Sequence, residues 1–241
     1  SSKGFHFDNE APRHAIYLQP YAISQRLITN LEWLEFITDG GYQNHRWWLD
    51  AGWAWVNQDN IIAPLYWHTL DGRPSVFTLN GIQSLNLLAP VSHISYYEAD
   101  AFARWKSANN PAFQGARLPT EAEWEAFVNT HVQTIPSNSN LLENGALQAQ
   151  ASSQKNMPGQ FFGDVWEWTS SNYTPYPGYK PWGGIAGEYN GKFMVNQMVL
   201  KGGSCFTPSS HIRSTYRNFF PTHARWQMTG LRLARDAKDD I

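Results

Sequence analysis

Hydrophobic positions recur at helical spacing in three places along the chain. Each is announced by a hydroxyl residue with a glutamate three positions on: Thr29 with Glu32, Ser95 with Glu98, and Thr120 with Glu123. In such a pair the hydroxyl accepts from a first-turn N–H while the carboxylate reaches back to the N–H of the capping residue, so two otherwise orphaned donors are satisfied. Behind Thr29 stand Leu31, Leu34 and Ile37, closed by Gly40-Gly41. Behind Ser95 stand Ala99, Phe102, Ala103 and Trp105, closed near Asn109-Asn110-Pro111, and behind Thr120 stand Trp124, Phe127 and Val128. The pattern predicts three short helices.

Elsewhere the pattern is one of short strands and structured loops. Residues 41–90 are rich in Trp, Gly and Pro without long periodicity, and "IIAPLYWHTLDGRPSVFTL" predicts two short strands around Asp71-Gly72. "GDVWEWTSS" alternates as a strand does, and "FMVNQMVLKGGS" and "TGLRLARD" predict two more. Residues 130–160 are polar and rich in Asn, Gln and Ser, which predicts a surface excursion. With no internal repeat and no interior linker, the expectation is a single α+β domain over residues 1–241, poor in regular structure.

Composition narrows the function classes. A formal net charge of −2 implies no basic surface for nucleic acid, and no apolar run approaches the roughly 18 residues of a membrane span. A lone cysteine, Cys205, excludes an internal disulfide framework and is compatible with a cytoplasmic location. The chain opens "SSKGFHFDNE", with neither an initiator Met nor a signal pattern, so an upstream part is expected. Twelve Trp, eleven Tyr and thirteen Phe admit two readings: a core of many small aromatic clusters, or a pocket for a flat or cationic ligand.

The eight histidines form no HxxxH, HxH or HExxH pair, and no phosphate-loop or nucleophile-elbow motif is present. Cys205 follows Gly202-Gly203-Ser204 and reads as a small packed hydrophobe. What remains is the tail, where Arg213, Arg217, Arg225, Arg232 and Arg235 flank Asn218, Phe219 and Phe220. The guanidinium forks suit carboxylates. They either help to hold an amino acid or pair with structural carboxylates such as Glu121, Glu123 or Glu167.

The segments "RLPTEAEWE", "GDVWEWTSS", "KGGS" and "GLRLARD", with "ITNLEWLEFI" and "VSHISYYEADAFARW" before them, resemble the formylglycine-generating-enzyme, or sulfatase-modifying-factor, domain over nearly the whole chain. That resemblance implies a C-type-lectin-like fold. The oxidases of this family use a cysteine pair in the tail; here the corresponding positions are serines, approximately Ser209 and Ser214, which argues against that activity. "FHFDNEAPRH", "GGYQNHRWWLDAGWAW", "PLYWH" and "YRNFFP" resemble instead the ergothioneine-biosynthesis sulfoxide synthases. Those enzymes join a thiol to the imidazole of Nα-trimethylhistidine with non-haem Fe(II) and O2.

The resemblance implies iron ligands on an upstream DinB-like helical domain that is absent from this sequence. It places the trimethylated amino acid at Asn218 and Phe219, and a contact to the thiol substrate at Arg225 across a one-residue gap. Phe220 stands where well-known members carry Asp, which suggests cysteine rather than γ-glutamylcysteine as thiol donor. Tyr189 is the implied proton donor, with Tyr176 and Tyr179 behind it, and a structural Ca2+ is implied beside Asp164. A non-catalytic lectin-like binding module is the alternative from a different class.

Overall fold

The computed structural model describes residues 4–152 and 158–237. All three capping pairs form, and each starts a helix: α1 (Asn30–Thr38), α3 (Tyr96–Asn109) and α4 (Glu121–His131), with α2 (Asp50–Gln58) between the first two. In α3, for example, the Glu98 N–H donates to Ser95 Oγ at 3.2 Å while the Ser95 N–H donates to Glu98 Oε2 at 2.8 Å. Each of these glutamates also takes an arginine: Arg26 on Glu32 at 2.7 Å, Arg225 on Glu98 at 2.9 Å, and Arg117 on Glu123. α1 stops as Gly40 turns to φ +74°, a left-handed conformation that glycine adopts without steric cost. No hydroxyl caps α2, whose N-cap is Leu49, so the sequence carries no start signal for it.

Three small sheets complete the fold. The chain ends are clasped by β1 (Tyr21–Ile23) running antiparallel to β9 (Ala234–Asp236). Two of three strands of an outlying meander were expected, β2 (Trp67–Leu70) and β3 (Arg73–Thr78) around Asp71-Gly72; β4 (Gly81–Ser84) extends it. The central sheet has the order β7-β6-β5-β8, made of β5 (Trp166–Asn172), β6 (Gln197–Lys201), β7 (Asn218–Pro221) and β8 (Thr229–Gly230). "TGLRLARD" is therefore not one strand. Thr229-Gly230 pairs with β5 and Ala234–Asp236 with β1, because between them Arg232 turns into the core to meet Glu167.

The main core lies between the central sheet and α1, α3 and α4, and most of the aromatic excess is spent there. Trp33 stacks on Phe102 with ring centroids 4.9 Å apart and planes 8° apart, and Phe36, Trp105, Trp124 and Trp168 are buried around them. The 130–160 region is less superficial than its polarity predicts. Asn140 and Leu141 are buried, and the Asn140 amide donates to Asp164 at 2.7 Å, pinning the excursion to the start of β5. Gly163 is required at that junction, since at φ +87° a Cβ would come within 2.4 Å of the Asn140 carbonyl oxygen.

Candidate functional site

β7 is an edge of the central sheet, so a ligand can approach both its backbone and its side chains. Strand alternation sends Phe219 to one face and Asn218 and Phe220 to the other. On the Phe219 face the Tyr173 ring stacks at 4.0 Å with planes 10° apart, and the rings of Phe193 and Tyr189 lie at 5.8 and 6.1 Å. Tyr189 is carried by α5 (Ile185–Gly191) and is 61% exposed. Behind Tyr173 the Arg217 guanidinium sits 5.0 Å from its ring and 4.0 Å from that of Tyr176, held by a bidentate pair to Glu121 at 2.9 and 3.0 Å. Rings and a fixed cation thus form a continuous stack in which partly buried Phe219 lies between Tyr173 and the outer rings of Phe193 and exposed Tyr189.

The stack is braced from the N-terminus. Asp8–Glu10 forms a single 3-10 turn whose three polar side chains each fasten a different part of the wall. Asp8 is buried and accepts from Asn190 Nδ2 at 2.6 Å, the Tyr179 hydroxyl at 3.1 Å and the Trp182 N–H at 3.3 Å, which fixes α5 and the approach to it. Asn9 donates to the Tyr173 hydroxyl at 2.8 Å. Glu10 accepts from the Phe7 N–H, from Arg213 and from Thr215. Burial pushes the Glu10 carboxyl up, but these donors and the Arg213 charge outweigh it and hold the group below the ordinary glutamate value. The sequence motif containing Asp8–Glu10 was legible only as a resemblance. Its bracing role depends on partners some 165 to 205 positions away.

The remaining predicted residues divide clearly. Asn218 lies on β7 with Oδ1 accepting from the Phe219 N–H at 2.9 Å, which leaves its amide nitrogen for a ligand. Phe220 packs on the core and meets Trp226 edge-on at 5.4 Å. Arg225 is engaged through one nitrogen, Nη1 donating to the Ala63 carbonyl at 3.0 Å and to the buried Glu98 at 2.9 Å. The structural alternative for the tail arginines holds for Arg217 with Glu121 and Arg232 with Glu167, while Glu123 takes Arg117 rather than a tail residue. Of the three candidate tyrosines, Tyr176 donates to Glu121 and Tyr179 to Asp8, and burial together with the Asp8 carboxylate pushes Tyr179 up to about 12.

Asp164 is far from this wall in its bonding. Its carboxylate accepts from Asn140 Nδ2, the Gln150 N–H and Gln160 Nε2 at 2.7, 2.8 and 3.1 Å. Burial pushes its carboxyl up despite these bonds. Three N–H dipoles aimed at one buried carboxylate do not fit Ca2+, whose ligands must all present oxygen. Cys205 is fully buried, and desolvation, with the nearby Asp164 charge, pushes its thiol up to about 12; a thiol so placed is unreactive. Among the described residues no three His, Cys, Asp or Glu side chains group to hold a metal ion, and no helix is long and apolar enough to cross a membrane.

Small sheets, capped short helices and an exposed aromatic edge define a mixed α+β protein of the sulfatase-modifying-factor type. The chain matches the sulfatase-modifying factor enzyme 1-like domain over residues 1–134 and 143–237, and belongs to that family. It is 35% identical to the hercynine oxygenase of Mycolicibacterium thermoresistibile, over 95% of this chain and 54% of that protein. With ergothioneine biosynthesis protein 1 of Schizosaccharomyces pombe it shares 24% identity over 96% of this chain and 28% of the relative. The chain spans about half the length of the hercynine oxygenases it matches. Among solved structures, PvdO from Pseudomonas aeruginosa superposes with a TM-score of 0.59 at 17% identity, covering 95% of this chain and 86% of that one, which establishes the fold alone.

Proposed function

We propose that this chain forms the substrate-binding wall of an ergothioneine-type sulfoxide synthase, an oxidoreductase that joins a thiol to Nα-trimethylhistidine. The observation that carries the reading is the placement of Asn218 and Phe219 on a free sheet edge, backed by the braced aromatic stack and facing the exposed Tyr189. A trimethylammonium group has no hydrogen to donate and is recognised by ring faces, at about 0.5–2 kcal/mol per favourable contact. Phe219 and Tyr189 supply such faces, with Tyr173 buried behind Phe219, and the Asn218 amide nitrogen supplies a donor to the carboxylate or ring nitrogen of a molecule lying across the free strand edge.

The hydroxyl of Tyr189 is the proton donor in this reading, because it is exposed and bonds to no acceptor among the described residues, whereas those of Tyr176 and Tyr179 are engaged. Phe220 presents a hydrocarbon edge where a second ammonium group would find no partner, which favours cysteine over γ-glutamylcysteine as the thiol. The Arg225 guanidinium is half-neutralised by Glu98 and contacts a thiol substrate only through the donors that Glu98 and Ala63 leave free. The described residues do not fit an iron site, so Fe(II) and its activation of O2 belong to the proposed DinB-like partner domain, and this chain binds, orients and supplies a proton.

The test combines this chain with such an iron-binding half, in one polypeptide or in trans, with Fe(II), O2, trimethylhistidine and cysteine. A C–S-bonded sulfoxide detected by mass, with kcat/KM lowered at least about tenfold by Asn218→Ala and by Phe219→Ala, is the expected outcome. Absence of product with cysteine or γ-glutamylcysteine, and with trimethylhistidine or histidine, overturns the reading and leaves a binding module. A clear preference for γ-glutamylcysteine overturns the thiol assignment alone.

A further inference from the structure

A second concavity lies on the far side of Trp226 from Phe220. It is a cavity of about 400 Å³ between the β2–β4 meander and the 147–149 loop. Tyr66, Trp67, Phe206 and Trp226 give it ring walls, which they share with aliphatic residues and with uncharged polar side chains such as Asn30 and Gln83. Its size falls in the range of small-molecule sites, which are typically apolar with a few placed polar groups. No Lys, Arg, Asp or Glu side chain lines it among the described residues. A charged ligand would find no counter-charge there.

One polar group on the wall is set apart by its bonding. His93 Nδ1 lies 3.1 Å from the Trp226 carbonyl oxygen. A carbonyl oxygen only accepts, so Nδ1 carries the proton and Nε2 is left as an acceptor. Burial pushes the imidazole down to about 4, so the ring is neutral and keeps that acceptor at ordinary pH.

The backbone around the cavity is also unusual. His93 stands at φ +61°, Tyr66 at φ +72° and Leu147 at φ +51°; three of the nine non-glycine left-handed residues among the described residues line this one cavity. Such a conformation is sterically strained for a residue with a side chain, and strain of this kind clusters at ligand clamps and active sites. The Tyr66 and His93 rings meet edge to face at 4.8 Å, and the Leu65 N–H donates to the His93 carbonyl at 3.1 Å, so the two strained residues hold each other.

We propose that this cavity is a second binding site, separate from the β7 wall, for a neutral aromatic molecule that donates one hydrogen bond to Nε2 of His93. The ring walls accept one or two fused rings, the lack of charged lining selects against ions, and the His93 acceptor, oriented by the bond to the Trp226 carbonyl, favours an N–H or O–H on the ring. Trp226 is shared between this cavity and the Phe220 face of β7, so occupancy would be felt at that face.

The experiment titrates the full chain with indole in a calorimeter, with N-methylindole as the isosteric probe lacking the donor. A single saturable indole site, bound at least tenfold more tightly than N-methylindole, is expected. Ser84→Trp, at an exposed position on the cavity rim in β4, is expected to abolish indole binding without lowering Tm, whereas Phe219→Ala leaves indole affinity unchanged. No saturable binding at millimolar indole, equal affinity for the two probes, or retention of binding in Ser84→Trp would overturn the proposal. Loss of indole binding in Phe219→Ala would place the probe on the β7 wall and overturn it as well.

Discussion

Two regions use arginine–carboxylate pairs for different ends. In the core, Arg232 and Glu167 are both fully buried, and the guanidinium also donates to the carbonyls of Ser24, Gly159 and Gln160 while lying 3.6 Å from the Phe161 ring. Each guanidinium nitrogen has an acceptor, and three of the bonds hold loop carbonyls to the sheet. At the aromatic wall, Arg213 with Glu10 and Arg217 with Glu121 sit under rings whose outer members are half-exposed. There the pairs act as supports that keep Phe219, Tyr173 and α5 in place instead of letting them collapse inward. The core pair buys uniqueness of the interior; the wall pairs keep a hydrophobic surface open to solvent.

That contrast can be broken at its strongest point first. Arg232→Met leaves Glu167 buried and unpaired and is expected to cost about 3–5 kcal/mol in chemical denaturation, with much of the loss recovered in the Arg232→Met, Glu167→Leu double variant. Asp8→Ala removes the acceptor from three donors and is expected to cost about 1–3 kcal/mol. In this case amide exchange should accelerate in α5 while β5 and β6 remain protected. Phe219→Leu should change stability by less than about 1.5 kcal/mol, as a volume-tolerant apolar swap, yet weaken trimethylhistidine binding about fivefold or more.

Acid sharpens the comparison further. The folded-state pKa of Glu10 lies below its ordinary 4.5, so its stabilising contribution is complete above that value and is lost as pH falls through the lower folded value. Exchange in the 213–215 segment, which Glu10 fastens, should therefore rise on acidification below about pH 4.5 and stay flat on the alkaline side. The core carboxyl Glu167 is shifted the opposite way, upward by burial against the pull of Arg232, and adds no stability loss of that kind. The smallest structural effect belongs to Tyr189→Phe. An exposed hydroxyl without a protein partner should change Tm by less than a degree or two, while kcat of the assembled enzyme falls and the pH profile of turnover changes shape.

How much of this was readable in the sequence follows from how local each signal is. The three capped helices were legible because Thr29, Ser95 and Thr120 each find their partner three residues away. Helix α5 was hidden by the glycines of "GGIAGEYNG", and α2 by the lack of a cap. The strand character of β7 depends on pairing with β6, some twenty residues upstream, so "NFFP" read as part of an irregular tail. Asn218, Phe219 and Tyr189 were named through family resemblance; the Phe219 and Tyr189 rings lie 6.1 Å apart, while Asn218 points to the other face of β7. Arg225 was named the same way, but its commitment to Glu98 across the chain could not be read from its neighbours.

The clasp between β1 and β9 has a consequence for the birth of the protein. Among the described residues the strand partner of Tyr21–Ile23 is Ala234–Asp236, made long after it. Arg225 and Arg232 likewise arrive long after the carboxylates they neutralise. Contacts of such sequence separation make folding slow. A nascent chain would thus carry capped helices with unmatched acids and loose aromatics until residues 225–236 are made, and this domain should close only then, as one late event.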